Sequence, residues 1–156
     1  MRNRFTRDVK EILSHSAEEA IRTKATCISS RHLLLGMIKQ AHNNALTLLE
    51  ESGLSLPELG KEIEEGLVPE KEESQGRVGR LGGGSWRLSL DREAERSIRG
   101  SVEEARKMGS KEVDAEHLLL AMVRDTGNGL QGIFQRLNID YAGLVSKMGT
   151  RPLSLL

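Results

Sequence analysis

Residues 31–37 read RHLLLGM and residues 116–122 read EHLLLAM, and these heptapeptides are the most visible part of a repeat running through the chain. Sliding the sequence on itself by 85 positions sets Ser16, Glu18, Glu19 and Ala20 on Ser101, Glu103, Glu104 and Ala105, Arg22 on Lys107, and Ile28 on Val113. The same register, without a gap, sets His32–Leu35 on His117–Leu120, Met37 on Met122, Ile38 on Val123, Lys39 on Arg124, Asn43 on Asn128 and Leu54 on Ile139. Two Leu-rich helices can share a tetrapeptide by chance, but chance does not hold one register from Ser16 to Leu54. A unit of about 60 residues has been duplicated in tandem.

Each unit reads as helices. Thr6 is placed to cap a helix whose Val9, Ile12, Leu13, Ser16, Ala17, Ala20 and Ile21 recur at the spacing of one buried face. Its counterpart opens at Asp91 and runs through Ala94, Ile98, Val102 and Ala105 to a stop at Gly109, with a thinner apolar stripe. Ser29 or Ser30, and Asp114, are caps for the two HLLL segments, which are apolar on nearly all sides and so belong at the centre of a bundle. Two short helices follow in each unit. They carry Ala45, Leu48 and Leu49, then Leu56, Leu59 and Ile63 after a break at Gly53, and Leu130, Ile133 and Phe134, then Tyr141, Leu144 and Val145. No segment sustains period-two alternation, so no strands are expected. The fold class is all-α: two similar four-helix units, about eight helices, sharing one core because a unit of about 60 residues is marginal alone. Repeat 1 spans about 4–67 and repeat 2 about 89–148, with a tail at 149–156.

The stretch from 68 to 88, VPEKEESQGRVGRLGGGSWRL, is rich in charge and glycine and reads as a flexible linker. It is not a phosphate loop: GRVGRLGGGS has no Gly-Lys-Ser/Thr ending, no preceding apolar strand and no helix to aim at a phosphate. Trp86 within it reads as an anchor onto a groove between the halves or as a tethered apolar contact.

Composition excludes several partners. Lys plus Arg and Asp plus Glu number 23 each, so no net field attracts a polyanion or an acidic membrane face, and aromatic residues are only 3% of the chain, too few for stacking platforms. Nucleic acid and membrane are therefore not expected partners. The single Cys27 cannot form an internal disulfide, which fits a reducing, cytoplasmic setting, and it reads as a packing residue. His32 and His117 read as caps or core residues, His15 and His42 have no metal-ligand spacing, and no metal or cofactor is expected. Adjacent Glu18–Glu19 and Glu103–Glu104 point to different helix faces and read as solvated positions, not as a catalytic carboxylate pair.

RFTRDVKEILSHSAEEA, ISSRHLLLGMIK and EEARKMGSKEVDAEHLLLAMVRDTGNGL, with the offset repeat, resemble the N-terminal domain of the Hsp100 Clp chaperones, the ClpC and ClpA type above all, from residue 4 to about 148. The resemblance implies a pseudo-twofold bundle of eight helices in one compact domain. It further implies a non-catalytic, monomeric module tethered to an AAA+ ATPase ring, recruiting substrate proteins and adaptors for unfolding and degradation in the Clp peptidase. No GxxxxGK[ST] occurs in the sequence, so ATPase chemistry is not expected of it. Two arrangements stay open, an excised domain of a longer unfoldase or a free-standing regulator of the Clp machinery.

In ClpC relatives, the acidic residue before the signature histidine is implicated in holding the guanidinium of phosphorylated arginine on tagged substrates, through fork-geometry hydrogen bonds. Glu116 matches that position, whereas Arg31 reverses the charge. The threonine opening the first helix in the family is kept as Thr6, beside Arg4, but is Asp91 in the second repeat, where a phosphate is disfavoured. The expectation is two diverged sites, at most one of them retained. Glu116 also has a simpler reading, as an acid favoured at a helix start.

Overall fold

The backbone N–H of Thr6 donates to the carbonyl of Val113 at 3.0 Å, and that of Asp91 donates to the carbonyl of Ile28 at 2.9 Å. Thr6 and Asp91, and Ile28 and Val113, are counterparts at the offset of 85, so each repeat lends its entry segment to the other in the same way. This is the self-complementary exchange of a twofold interface, here within one chain.

The computed structural model describes residues 4–67, 78–81, 85–125, 127 and 129–149, with backbone alone for 78–81 and 85–88. In chain order the elements are β1 (Arg4–Phe5), α1 (Arg7–Arg22), α2 (Ser30–Gln40), α3 (Asn44–Glu51), α4 (Leu56–Glu65), β2 (Val78–Leu81) and β3 (Ser85–Leu88). Then follow α5 (Arg92–Lys107), β4 (Glu112–Val113), α6 (Ala115–Arg124), α7 (Gln131–Arg136) and α8 (Tyr141–Gly149). The first helices of the two repeats coincide at both ends when shifted by 85, and the others agree to within two residues. The all-α, eight-helix architecture expected from the repeat is what forms. Among the described residues no helix is long and apolar enough to cross a membrane.

Local chemistry sets the helix ends. Thr6 accepts from the N–H of Val9 at 3.3 Å, and Asp91 from that of Ala94 at 2.8 Å. Gly53, at φ +89°, separates α3 from α4, and Gly109, at φ +69°, follows α5; both hold the left-handed backbone for which glycine has no steric cost. The two HLLL helices lie at the centre: Leu33, Leu34, Leu118, Leu119 and Leu120 are fully enclosed. Side chains of both repeats form one continuous core, with α3 packing on α6 and α8, and α2 on α5. Burying each such leucine contributes about 1.5–3 kcal/mol.

The thin stripe of α5 has a packing reason. Its inward face includes Ala94, Ser97, Gly100, Ser101 and Ala105, and a Cβ on Gly100 would stand 3.0 Å from that of Ala121, so α5 and α6 approach closely through small residues. In repeat 1 the small residue is on the other helix. A Cβ on Gly36 of α2 would stand 2.3 Å from Ser16 Oγ and 2.6 Å from the Ile12 carbonyl oxygen of α1.

Three sequence expectations are corrected. Strands do occur: β1 pairs with β4 in parallel, Leu90 bridges Ile28 in parallel, and β2 pairs with β3 in antiparallel register, Val78 opposite Leu88. The parallel pieces are too short to show any period, and they form because the exchanged segments need partners for their backbone groups. Second, the β2–β3 ladder lies inside the stretch read as a linker; the rest of that stretch, the Trp86 side chain and the tail beyond Gly149 fall outside the described residues. Third, Glu19 and Glu104 are buried, not solvated; Glu18 and Glu103 are the exposed members of each pair. Each buried carboxylate is held by two cations, Arg22 and Lys39 for Glu19, Lys107 and Arg124 for Glu104. A carboxylate enters a core when it is so partnered.

Candidate recognition site at the starts of the HLLL helices

Both HLLL helices open with a reciprocal cap in which the histidine takes the role usually given to Glu or Gln. The Nδ1 of His32 accepts from the N–H of Ser29 at 3.0 Å, and the Nδ1 of His117 from that of Asp114 at 2.9 Å. Ser29, not Ser30, is therefore the first cap. The signature histidines are structural, as their sequence context suggested. Burial holds the His117 imidazole below its ordinary pKa against the opposing pull of Glu116, Asp114 and Glu104, and Nδ1 must be unprotonated to accept.

Around the start of α6 the two repeats meet through polar side chains. Asp114 Oδ1 accepts from Thr6 Oγ1 at 2.9 Å and from the N–H of Ala115 at 2.8 Å. Asn44, at the start of α3, bridges two carboxylates with its amide, donating to Asp114 Oδ2 at 3.0 Å and to Glu116 Oε1 at 2.8 Å. A cavity of about 280 Å³ opens here, bounded by Thr6, Met108, Glu112, Asp114, Glu116 and His117. A second cavity of about 630 Å³ adjoins it across Thr6 and Glu112, with Arg4, Arg7 and Lys10 on its wall. Thr6 thus stands between an acidic pocket and a basic one. A ligand carrying a guanidinium next to an anion matches that polarity on both sides.

The counterpart at the start of α2 is built differently. Arg31 Nη1 donates to the carbonyl of Ile63 at 3.1 Å, and Nη2 to that of Gly129 at 3.3 Å. Ile63 lies in the last turn of α4, where the helix dipole favours a cation, and its carbonyl accepts from the N–H of Gly66 as well as from Arg31. A Cβ on Gly66 would run into the Arg31 guanidinium, so that glycine leaves room for the side chain in this position. Glu93 Oε1 accepts from Ser30 Oγ at 3.0 Å and from the N–H of Gly129 at 3.1 Å.

Of the residues singled out in the sequence, Arg4, Thr6 and Glu116 gather on the two adjoining cavities. Arg31 and Asp91 belong to the other repeat junction, where Asp91 caps α5 and Arg31 binds backbone carbonyls. Asn44, Glu93 and Gly129 were missed. Asn44 and Gly129 are counterparts at the offset of 85, yet one acts through its side chain and the other through its backbone, and no sequence pattern signals either.

Residues 4–137 match the family of the Clp repeat (R) N-terminal domain. The chain belongs to that family. This Clp N-domain is 28% identical over 155 residues to the ATP-dependent Clp protease ATP-binding subunit ClpC of Staphylococcus saprophyticus, covering 97% of the chain and 18% of that protein. It is 31% identical over 130 residues to the Bacillus subtilis protein named negative regulator of genetic competence ClpC/MecB, covering 83% of the chain and 15% of the relative. The chain therefore spans less than a fifth of the length of these relatives. The fold of the Clp N-domain also matches the Hsp104 N-terminal domain from Candida albicans, with a TM-score of 0.71 at 16% identity, covering 97% of this chain and 95% of that one.

Proposed function

We propose that this Clp N-domain is the polypeptide-recognition module of a Clp/Hsp100 ATPase, bringing substrate and adaptor proteins to the ring for unfolding and for degradation in the Clp peptidase. Of its two pseudo-equivalent sites, only the one at Glu116 takes an external guanidinium, in the form of phosphorylated arginine. The carboxylate of Glu116 receives the guanidinium beside Asp114, and the phosphate lies toward Arg4 and the hydroxyl of Thr6.

One observation carries this reading. Glu116 opens onto a cavity, whereas the counterpart position is filled by the chain's own guanidinium, Arg31, already bound to two carbonyl oxygens. Asp91 adds a fixed negative charge at the second junction, where a phosphate would be repelled.

Calorimetric titration with free phosphoarginine tests it. One site is expected, lost in Glu116→Gln and kept in Arg31→Ala. Two equal sites in the unaltered chain would refute the assignment, as would binding that survives Glu116→Gln.

A further inference from the structure

The two repeats also differ where the fourth helix crosses the second. In repeat 2, α8 places Tyr141 against the buried Glu104: the phenol donates to Glu104 Oε1 at 2.6 Å, Lys107 Nζ lies 3.3 Å from the same hydroxyl, and that Nζ sits 5.5 Å from the ring centroid. Val145, one turn further along α8, packs on the core beside it. In repeat 1 the counterparts of Tyr141 and Val145 are Leu56 and Gly60. The buried carboxylate is repeated as Glu19 and its cations as Arg22 and Lys39, but the phenol and the isopropyl group are not.

The difference leaves a groove. About 620 Å³ lies open between α2 and α4, floored by Leu35, Ile38, Leu56 and Gly60 and reaching Glu19 and Lys39 at one end. A Cβ built on Gly60 would meet only Ile38 Cδ1, at 3.9 Å, so the space exists because that side chain is missing. Glu19 Oε1 is taken by Arg22 at 2.7 Å, while Oε2 has Lys39 Nζ at 3.3 Å and retains capacity to accept another donor.

We propose that this groove is a docking slot for a tyrosine side chain of a partner polypeptide, the ring lying on Leu35, Ile38 and Leu56 and the phenol donating to Glu19 as Tyr141 donates to Glu104. The duplicated half supplies the template, since the equivalent carboxylate, likewise held by one lysine and one arginine though with the two exchanged in position, already holds a phenol there; in repeat 1 Arg22 binds Glu64 as well. The chain cannot fill the slot itself. Its single tyrosine is Tyr141, engaged with Glu104, so a second copy of the chain has none to offer. Flanking aliphatic residues on the partner suit the apolar floor beyond the ring. The slot is separate from the Glu116 pocket and extends the recognition reading to a second face.

The test is a titration of the isotope-labelled chain with the capped tripeptide acetyl-Leu-Tyr-Leu-amide and its Phe and Ala analogues, read from amide shifts at Leu35, Ile38 and Gly60. The tyrosine peptide should bind roughly tenfold tighter than the phenylalanine one, the ratio expected of one hydrogen bond to a carboxylate. The alanine peptide should leave those amides unmoved. Gly60→Val and Leu56→Tyr, which install the groups repeat 2 already carries, should each abolish the shifts while the rest of the spectrum stays folded. Equal affinity for the Tyr and Phe peptides, shifts confined to another face, or binding that survives both substitutions would overturn the proposal. Phosphoarginine titration of the same variants reads the Glu116 pocket separately, so failure of one site is not failure of the other.

Discussion

Arg31 donates to the carbonyl oxygen of Gly129, 3.3 Å away, across the boundary between the repeats. Its counterpart Glu116 accepts from Asn44, itself the counterpart of Gly129, at 2.8 Å. The two junctions keep the same crossing while exchanging donor for acceptor. A duplicated fold can thus keep its interface and alter what each junction offers outside: a cavity with carboxylates at one, a guanidinium turned inward at the other.

Arg31→Glu should destabilise the fold by about 1 kcal/mol or more, because a carboxylate would face the carbonyls of Ile63 and Gly129 in place of the guanidinium that now donates to both. Arg31→Ala should cost less, since water can reach this half-buried position. Urea unfolding midpoints of the three proteins give the order; identical midpoints would mean that Arg31 holds nothing together.

Gly36→Ala should be destabilising by about 1–3 kcal/mol even though alanine is the better helix former. The added methyl would lie 2.6 Å from the carbonyl oxygen of Ile12, which is backbone of α1 and cannot move alone. Gly60→Ala, where the new methyl meets only Ile38 Cδ1 at 3.9 Å, should instead raise the melting temperature. Thermal unfolding of the pair shows whether the sign follows the space at each glycine.

His117 gives stability a pH dependence. Its native pKa is held below the ordinary value of 6.5 by burial, so the unfolded chain binds the proton more readily. The contribution of the neutral imidazole is complete above 6.5 and is lost as pH falls through the lower native value. Protonation also removes the acceptor that His117 Nδ1 offers the N–H of Asp114. His117→Gln keeps an acceptor at that position but does not titrate, so its unfolding midpoint should vary less than that of the parent between about pH 7 and pH 5. Parallel slopes would sink the assignment.

At the alkaline end Tyr141 acts in the opposite sense. Its hydrogen bond to Glu104, with burial adding to it, raises the phenol above the ordinary 10.0. A phenolate would face the carboxylate it now donates to. Stability from this pair is therefore present below pH 10 and lost as pH rises through the higher native value. As the only tyrosine, Tyr141 can be followed by phenolate absorbance, and its titration should move down to the ordinary range in denaturant. Tyr141→Phe should lower stability by about 1 kcal/mol at neutral pH, since Glu104 loses a donor.

The repeat by itself determined the number of helices, their order, their first caps at Thr6 and Asp91, and the central place of the HLLL segments. All of these follow from local periodicity and from one register held along the chain. Periodicity reports which residues face inward, but not which partner they meet there. Only the tertiary structure decided that Glu19 and Glu104 are buried, because their cations come partly from a neighbouring helix. It alone decided that the entry segments swap, since two-residue strands carry no pattern. It decided, too, that Arg31 reaches Gly129 and Glu116 reaches Asn44. Those contacts join residues 98 and 72 positions apart, and a side chain that long can satisfy its charge in many places until packing fixes one.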